Sequence, residues 1–236
     1  MFKNDASSTH APSRSAGERT RELIFDKALE LFRRRGFEAT TMREVAREAG
    51  VATGAAYYYF PSKEAIVSAY YDQVQRLHAA SVREELRGKE ALRDRLGIVL
   101  HAKLGILKDD RRILGALFRY TGEPGHPLSV FGRGTEAQRN QSVGIFREAI
   151  ATADLSEELK QLLPWAMWLV HLGMILVFIY DGSERQQKTH KLVDSVLNVL
   201  VGLVELTNSA LVRPFVKPFE ERLLMMLQEA GLGGGS

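Results

Sequence analysis

Residues 40–64 read TTMREVAREAGVATGAAYYYFPSKE. Met42, Val45, Ala46 and Ala49 fall on one helical face, with Thr41 placed to cap the N-terminus of that short helix. Gly50 ends it, and Val51 is a lone apolar residue in a tight turn. A further short helix is expected from about Thr53 to Phe60, with Pro61 closing it. Ser62 is placed to cap a longer helix through Ile66, Tyr70, Val74 and Leu77. Upstream, Ile24, Ala28, Leu31 and Phe32 line one face of a helix over Glu18–Arg35, and Gly36 stops it.

Two short helices joined by a glycine turn make the helix-turn-helix layout. The second helix of such a unit lies in the DNA major groove with its N-terminal residues against base edges. Thr53, Gly54, Ala55 and Ala56 are small enough for close approach. Tyr57, Tyr58 and Tyr59 span three helix faces, so at least one hydroxyl faces outward, where it can donate to a phosphate. Thr41 and Lys63 flank the unit at helix N-termini, which favour anions. Taken singly, the bland readings hold: Thr41 is a cap, Lys63 a solvated charge, the tyrosines ordinary packing, and Arg33–Arg35 a solvated helix end. The spacing of the whole set points to DNA.

The charge balance agrees. The chain has 236 residues and a formal net charge of +3. Residues 1–63 hold 11 Lys/Arg against 8 Asp/Glu, and the remainder holds 21 of each. The whole excess therefore sits beside the helix-turn-helix. There is no cysteine, which excludes a disulfide scaffold, a thiolate metal site and a cysteine nucleophile.

Residues 21–37, RELIFDKALELFRRRGF, followed by residues 40–64, resemble the DNA-binding domain of the TetR family of transcriptional regulators. The resemblance implies that Thr41 and Arg43 contact DNA from the second helix, that Thr53, Gly54 and Ala55 face bases, and that Tyr58 and Tyr59 touch phosphates or bases. It implies that Lys63 holds a phosphate and that Tyr57 is partly buried in support. Ala52 stands where the family commonly has Ser, Ala55–Ala56 where it has Thr–Leu, and Tyr59 where it has His. Thr53 is expected to take over the cap that Ala52 cannot supply.

Beyond residue 80 the pattern stays helical, over about 90–107, 110–119, 129–153, 156–180, 184–207 and 215–229, with no sustained alternation of period 2. The expected fold is all-α: a disordered tail (1–17), a helix-turn-helix domain (18–63), a connecting helix (64–83), a larger helical ligand-binding and dimerisation domain (84–230) and a flexible Gly-rich tail (231–236). Leu162–Tyr180 carries no formal charge over 19 residues, which meets the length of a membrane span. Pro164, His171 and the lack of a second span favour a buried helix. With the apolar face of Leu192–Val204, it suits a bundle shared by two chains. The family resemblance likewise implies a homodimer through the last two long helices, and dimerisation places two reading heads about one DNA turn, ~34 Å, apart.

The resemblance further implies that a ligand in the C-terminal domain shifts the helix over Ser62–Arg83 and so releases DNA. Candidate ligand contacts are His101, Phe118, Tyr120, Phe131, Phe146, Trp165, Trp168, His171 and Met174, a lining suited to a small apolar or aromatic effector. Trp168 and His171 stand out because Trp165, Trp168 and His171 recur at i, i+3, i+6. Most such residues are otherwise simply core. No Gly-x-Ser-x-Gly, Gly-x-x-x-x-Gly-Lys or His-Glu-x-x-His motif occurs, and the six histidines form no i, i+3 or i, i+4 pair. The expectation is a cytoplasmic, ligand-released repressor, with no cofactor, metal or membrane partner. The alternatives are a DNA-binding regulator whose C-terminal half only dimerises or binds a protein, and a membrane-anchored regulator.

Overall fold

The computed structural model describes residues 15–120, 123 and 125–229, and divides the chain into two units that meet in sequence between Ile66 and Val67. The described residues are helical, without a strand. In the first unit α1 spans Ala16–Arg35, α2 Met42–Glu48 and α3 Thr53–Tyr59. Helix α1 begins two residues before the expected start, because Ser15 and Glu18 form a capping box. The Ser15 hydroxyl accepts the Glu18 N–H at 3.2 Å, and the Glu18 carboxylate accepts the Ser15 N–H at 2.7 Å. Ala16 and Gly17, expected in the tail, are thus helical; the rest of that tail, and the expected Gly-rich tail over 231–236, lie outside the described residues.

Thr41 and Glu44 form a second capping box and start α2. Gly50, at φ +64°, takes the left-handed turn that brings α3 back beneath α2. The Val51 N–H donates to the Ala46 carbonyl at 3.0 Å across this turn. Ile24, Ala28, Leu31, Phe32, Val45 and Ala56 are fully buried, with Phe37 and Phe60 closing the two ends of the core. Burying each of the larger side chains is worth roughly 1.5–3 kcal/mol, the main support of so small a unit.

Helix α4 (Lys63–Glu85) starts in the first unit and runs on into the second. The second unit continues with α5 (Leu92–Leu107), α6 (Arg111–Tyr120), α7 (Glu136–Ile150), α8 (Glu157–Tyr180), α9 (Gln187–Asn208) and α10 (Arg213–Glu229). Helix α8 packs on α7, α6 and α10, while α5 packs between α7 and α9. Helix α7 is shorter than the expected 129–153. Its upstream segment folds back instead, with the Thr135 hydroxyl on the Ser129 carbonyl. A Cβ on Gly134 would sit 3.1 Å from the Pro127 carbonyl oxygen, a tight approach of backbone to backbone that glycine relieves.

Two buried polar groups fix the unit. The Arg95 guanidinium donates to the carbonyls of Ala149, Glu148, Lys89 and Leu86 at 2.6–3.4 Å, joining the C-terminal ends of α4 and α7. The Asp181 carboxylate accepts the N–H and hydroxyl of Thr189 at 2.8 and 2.7 Å, and so caps the start of α9.

Candidate nucleic-acid interface and ligand cavity

The helix-turn-helix presents Thr53, Gly54 and Tyr58 to solvent, with Ala55 half-buried and Ala56 fully buried against α1 and α2. Tyr58 is 82% exposed and Tyr57 48% exposed. The tyrosine that packs back is Tyr59, half-buried, edge-on to Tyr58 at 5.1 Å. Its hydroxyl lies 3.4 Å from where a Cβ of Gly17 would stand, so it closes on the first turn of α1. The supporting role expected of Tyr57 thus falls to Tyr59, because the α3 register turns position 59 rather than 57 toward α1. No side chain caps α3, Thr53 included. Its opening N–H groups are left for solvent or a ligand.

Of the other expected DNA contacts, Thr41 and Lys63 are already engaged within the unit. The Thr41 hydroxyl accepts the Glu44 N–H at 3.2 Å and lies 3.0 Å from the Glu44 carboxylate. The bond from the Thr41 backbone N–H holds the Glu44 carboxyl below the usual range, and Arg35 pairs with it at 2.9 Å. Arg43 projects into solvent. Lys63 reaches inward: its ammonium donates to the Phe37 carbonyl at 2.8 Å and lies 4.4 Å from the Phe37 ring centroid. One of its three N–H donors ties the start of α4 to the α1–α2 turn, which leaves the other donors for an anion.

The second unit encloses a cavity with an empty volume of about 740 Å³, its open mouth included. Tyr70, Tyr71, Val74 and Gln75 of α4 form one wall, and Lys103 and Leu107 of α5 another. Leu114, Leu117 and Phe118 come from α6, Gln138, Arg139 and Ser142 from α7, and Trp168, His171 and Ile175 from α8. Its mostly apolar lining with a few convergent polar groups is that of a small-molecule pocket.

Of the expected ligand contacts, Phe118, Trp168 and His171 line this cavity. Phe146 and Trp165 pack immediately behind, tilted on His171 and edge-on to Trp168 respectively. Met174 is buried without lining the cavity. Phe131 is 51% exposed with its ring edge-on to Trp168, and Tyr120 stacks on His126 at 3.8 Å. His101 lies elsewhere, its Nδ1 2.8 Å from Nδ1 of His190 and its Nε2 3.2 Å from Asp194.

The polar lining was not legible in the sequence. Lys103 is fully inside, and burial pushes its ammonium down to about 7. Its hydrogen-bond partner is the Gln75 amide oxygen at 2.7 Å; the Gln75 amide in turn donates to the Gln138 carbonyl at 2.9 Å. Burial, reinforced by the Lys103 charge, lowers His171 well below its ordinary value and His78 to about 3. Burial also raises the Tyr71 phenol. The only sequence trace of this arrangement is a lysine in the apolar stretch LHAKLGIL, where a charge breaks the expected face.

Comparison with known proteins decides the family. The family model "Bacterial regulatory proteins, tetR family" matches residues 24–70, and "Tetracyclin repressor-like, C-terminal domain" matches residues 95–218, more than half of the chain. The chain belongs to the TetR family. Among curated TetR-type relatives, the uncharacterized HTH-type transcriptional regulator YerO of Bacillus subtilis is 36% identical over 83 residues, 33% of this chain and 29% of that protein. The chain spans between about a fifth and a half of the length of the curated relatives it matches first. The fold is shared with a TetR transcriptional regulator from Nitrosomonas europaea, at TM-score 0.62 and 18% identity over 76% of this chain and 96% of that one. It is also shared with the Thermus thermophilus FadR repressor in complex with lauroyl-CoA, at TM-score 0.57 and 22% identity over 75% and 92%.

Proposed function

We propose that this TetR-family protein is a homodimeric repressor that leaves a palindromic operator when a small, largely apolar ligand fills the α4–α8 cavity. The observation that carries this reading is the course of α4. Its first turn, through Lys63 and Ile66, belongs to the helix-turn-helix core, while Tyr70, Tyr71, Val74 and Gln75 of the same helix form a cavity wall. A ligand that needs those side chains elsewhere acts on one continuous helix. Such a ligand shifts the equilibrium by its difference in affinity for the two positions.

The dimer follows from apolar surface. Helix α8 buries Trp165, Trp168, Ile175 and Phe178 on one side, and leaves Leu169, Leu176, Val177 and Tyr180 exposed on the other. Helix α9 exposes Leu192, Val199, Leu203 and Leu206. A second copy offering the same two helices covers both stripes by two-fold symmetry. By length and composition α8 could cross a membrane, but half of its apolar window is already buried inside the unit. A helix placed between a core and a partner copy needs that same composition. Within each reading head, Arg43, Thr53, Gly54, Ala55 and Tyr58 are assigned to base or phosphate contact, with Thr41, Tyr57, Tyr59 and Lys63 beside them.

Random-site selection on DNA tests the first half of the reading, and is expected to return an inverted repeat. Titrating small apolar compounds against the selected site tests the second. Loss of the shifted band at saturating compound supports the sensor, while a dimer that no compound releases would leave a regulator controlled by a protein partner.

A further inference from the structure

The charge of the cavity says which apolar molecule it takes. Lys103 and Arg139 line it, and no Asp or Glu does so among the described residues. The nearest carboxylates are held one step back, Asp72 by the Gln138 amide at 2.8 Å and Asp110 by the Tyr70 hydroxyl at 2.7 Å. The Lys103 ammonium therefore faces a neutral amide from α4, the histidines His78 and His171, the Tyr71 phenol and the Arg139 guanidinium, with no counter-charge. Several lining polar atoms are buried without a partner among the described residues: both ring nitrogens of His171, the Ser142 hydroxyl, Nε of Arg139 and Oε1 of Gln138. Each such atom has given up water without a replacement bond, which is unfavourable until a ligand supplies one. A buried cation without an anion, with the Ser142 hydroxyl and the Arg139 Nε–H among the unused donors beside it, is half of an ion pair.

We propose that the cavity is a site for an amphipathic carboxylate, an organic acid whose carboxylate sits on the Lys103 ammonium and whose hydrocarbon lies against Leu114, Leu117, Phe118 and Trp168. Arg139 adds a second positive charge to the lining, its Nη1 held by the carbonyls of Val130 and Gly132 at 3.1 and 3.2 Å and its Nε–H without a partner among the described residues. A carboxylate has about four acceptor sites, enough for the ammonium together with the hydroxyl of Ser142 and Nε–H of Arg139. Because burial holds the Lys103 ammonium near 7, an anion beside it restores its proton. Binding then draws one proton from solution above that pH and weakens as pH rises.

This inference rests on the ligand-sensing reading but is tested without DNA. The probes are straight-chain carboxylates of six to fourteen carbons and 2-naphthoate, each paired with the alcohol of the same skeleton. Calorimetry at pH 8, in two buffers of different ionisation enthalpy, is expected to show at least one acid binding ~10-fold or more tightly than its alcohol, with net proton uptake. Lys103→Met is expected to keep the fold, to remove the preference for the acid and to abolish the uptake. If no acid binds, if acid and alcohol bind equally, or if the wild-type protein takes up no proton, the proposal is overturned. If an acid binds in this way and the operator stays bound, the site stands and the repressor reading fails instead.

Discussion

Lys63 shows how one side chain can serve two ends. The sequence places it at a helix start, and that position suggests an anion contact. Its bond to the Phe37 carbonyl was invisible there, because the partner lies 26 residues away. Lys63→Ala is therefore expected to weaken DNA binding and also to lower the stability of the helix-turn-helix by about 1.5–3 kcal/mol, the usual worth of a hydrogen bond to a charged group. Denaturant melts of the variant read the second effect directly, and unchanged melts would return Lys63 to a purely DNA-facing role. Tyr58, at 82% exposure, carries no such complication. Tyr58→Ala is expected to leave stability within ~0.5 kcal/mol and to weaken all DNA sequences alike. Thr53→Ala is expected to relax base preference in random-site selection instead. Lys103 is the opposite case: its sequence neighbours say core, and only the cavity around it gives the charge a purpose.

Among the elements, the helices of the reading head were legible because each carries its own signals: an apolar face, a cap and a stop. The start of α1 lies two residues upstream of the expected Glu18 because Ser15 and Glu18 form a capping box inside a stretch whose composition is that of a tail. Val130 and Phe131 extend the apolar pattern of α7 upstream to the expected start at 129, whereas the backbone there folds on itself through Gly132 and Gly134. On α9, Val196 and Leu200 belong to the apolar stretch Leu192–Val204. Both are half-buried within the unit, whereas Val199 and Leu203 are 63% and 51% exposed. Leu203→Glu is thus expected to give a folded monomer by light scattering, without operator binding at dimer-saturating concentrations. Asp181 supplies a pH test of the same helix. Bonds from Ser183 and Thr189 lower its carboxyl below the ordinary value. Its cap is present in full above an unfolded Asp pKa near ~4 and is lost as pH falls through the lower folded value. Asp181→Asn is expected to reduce thermal stability at neutral pH and to narrow that gap as the solution is acidified toward pH 2.

For the whole molecule, the sequence divides its labour between a charged reading head and a neutral remainder, and the structure gives that remainder an interior. Arg95 then acquires a mechanical meaning. Its guanidinium pins the Leu86–Lys89 end of α4 to the end of α7, while the cavity wall lies midway along the helix and Lys63 at its far end. At ~1.5 Å per residue, the pin is roughly 20 Å from the middle of that wall and about 35 Å from Lys63. A rod hinged at one end and pushed near its middle moves almost twice as far at its tip. Removing the hinge with Arg95→Gln is expected to lower stability and, more tellingly, to leave ligand binding measurable while blunting DNA release. On the proposed sensing mechanism α4 acts as a lever with Arg95 as its fulcrum, and a push on Tyr70, Tyr71, Val74 and Gln75 is carried along the helix to Lys63.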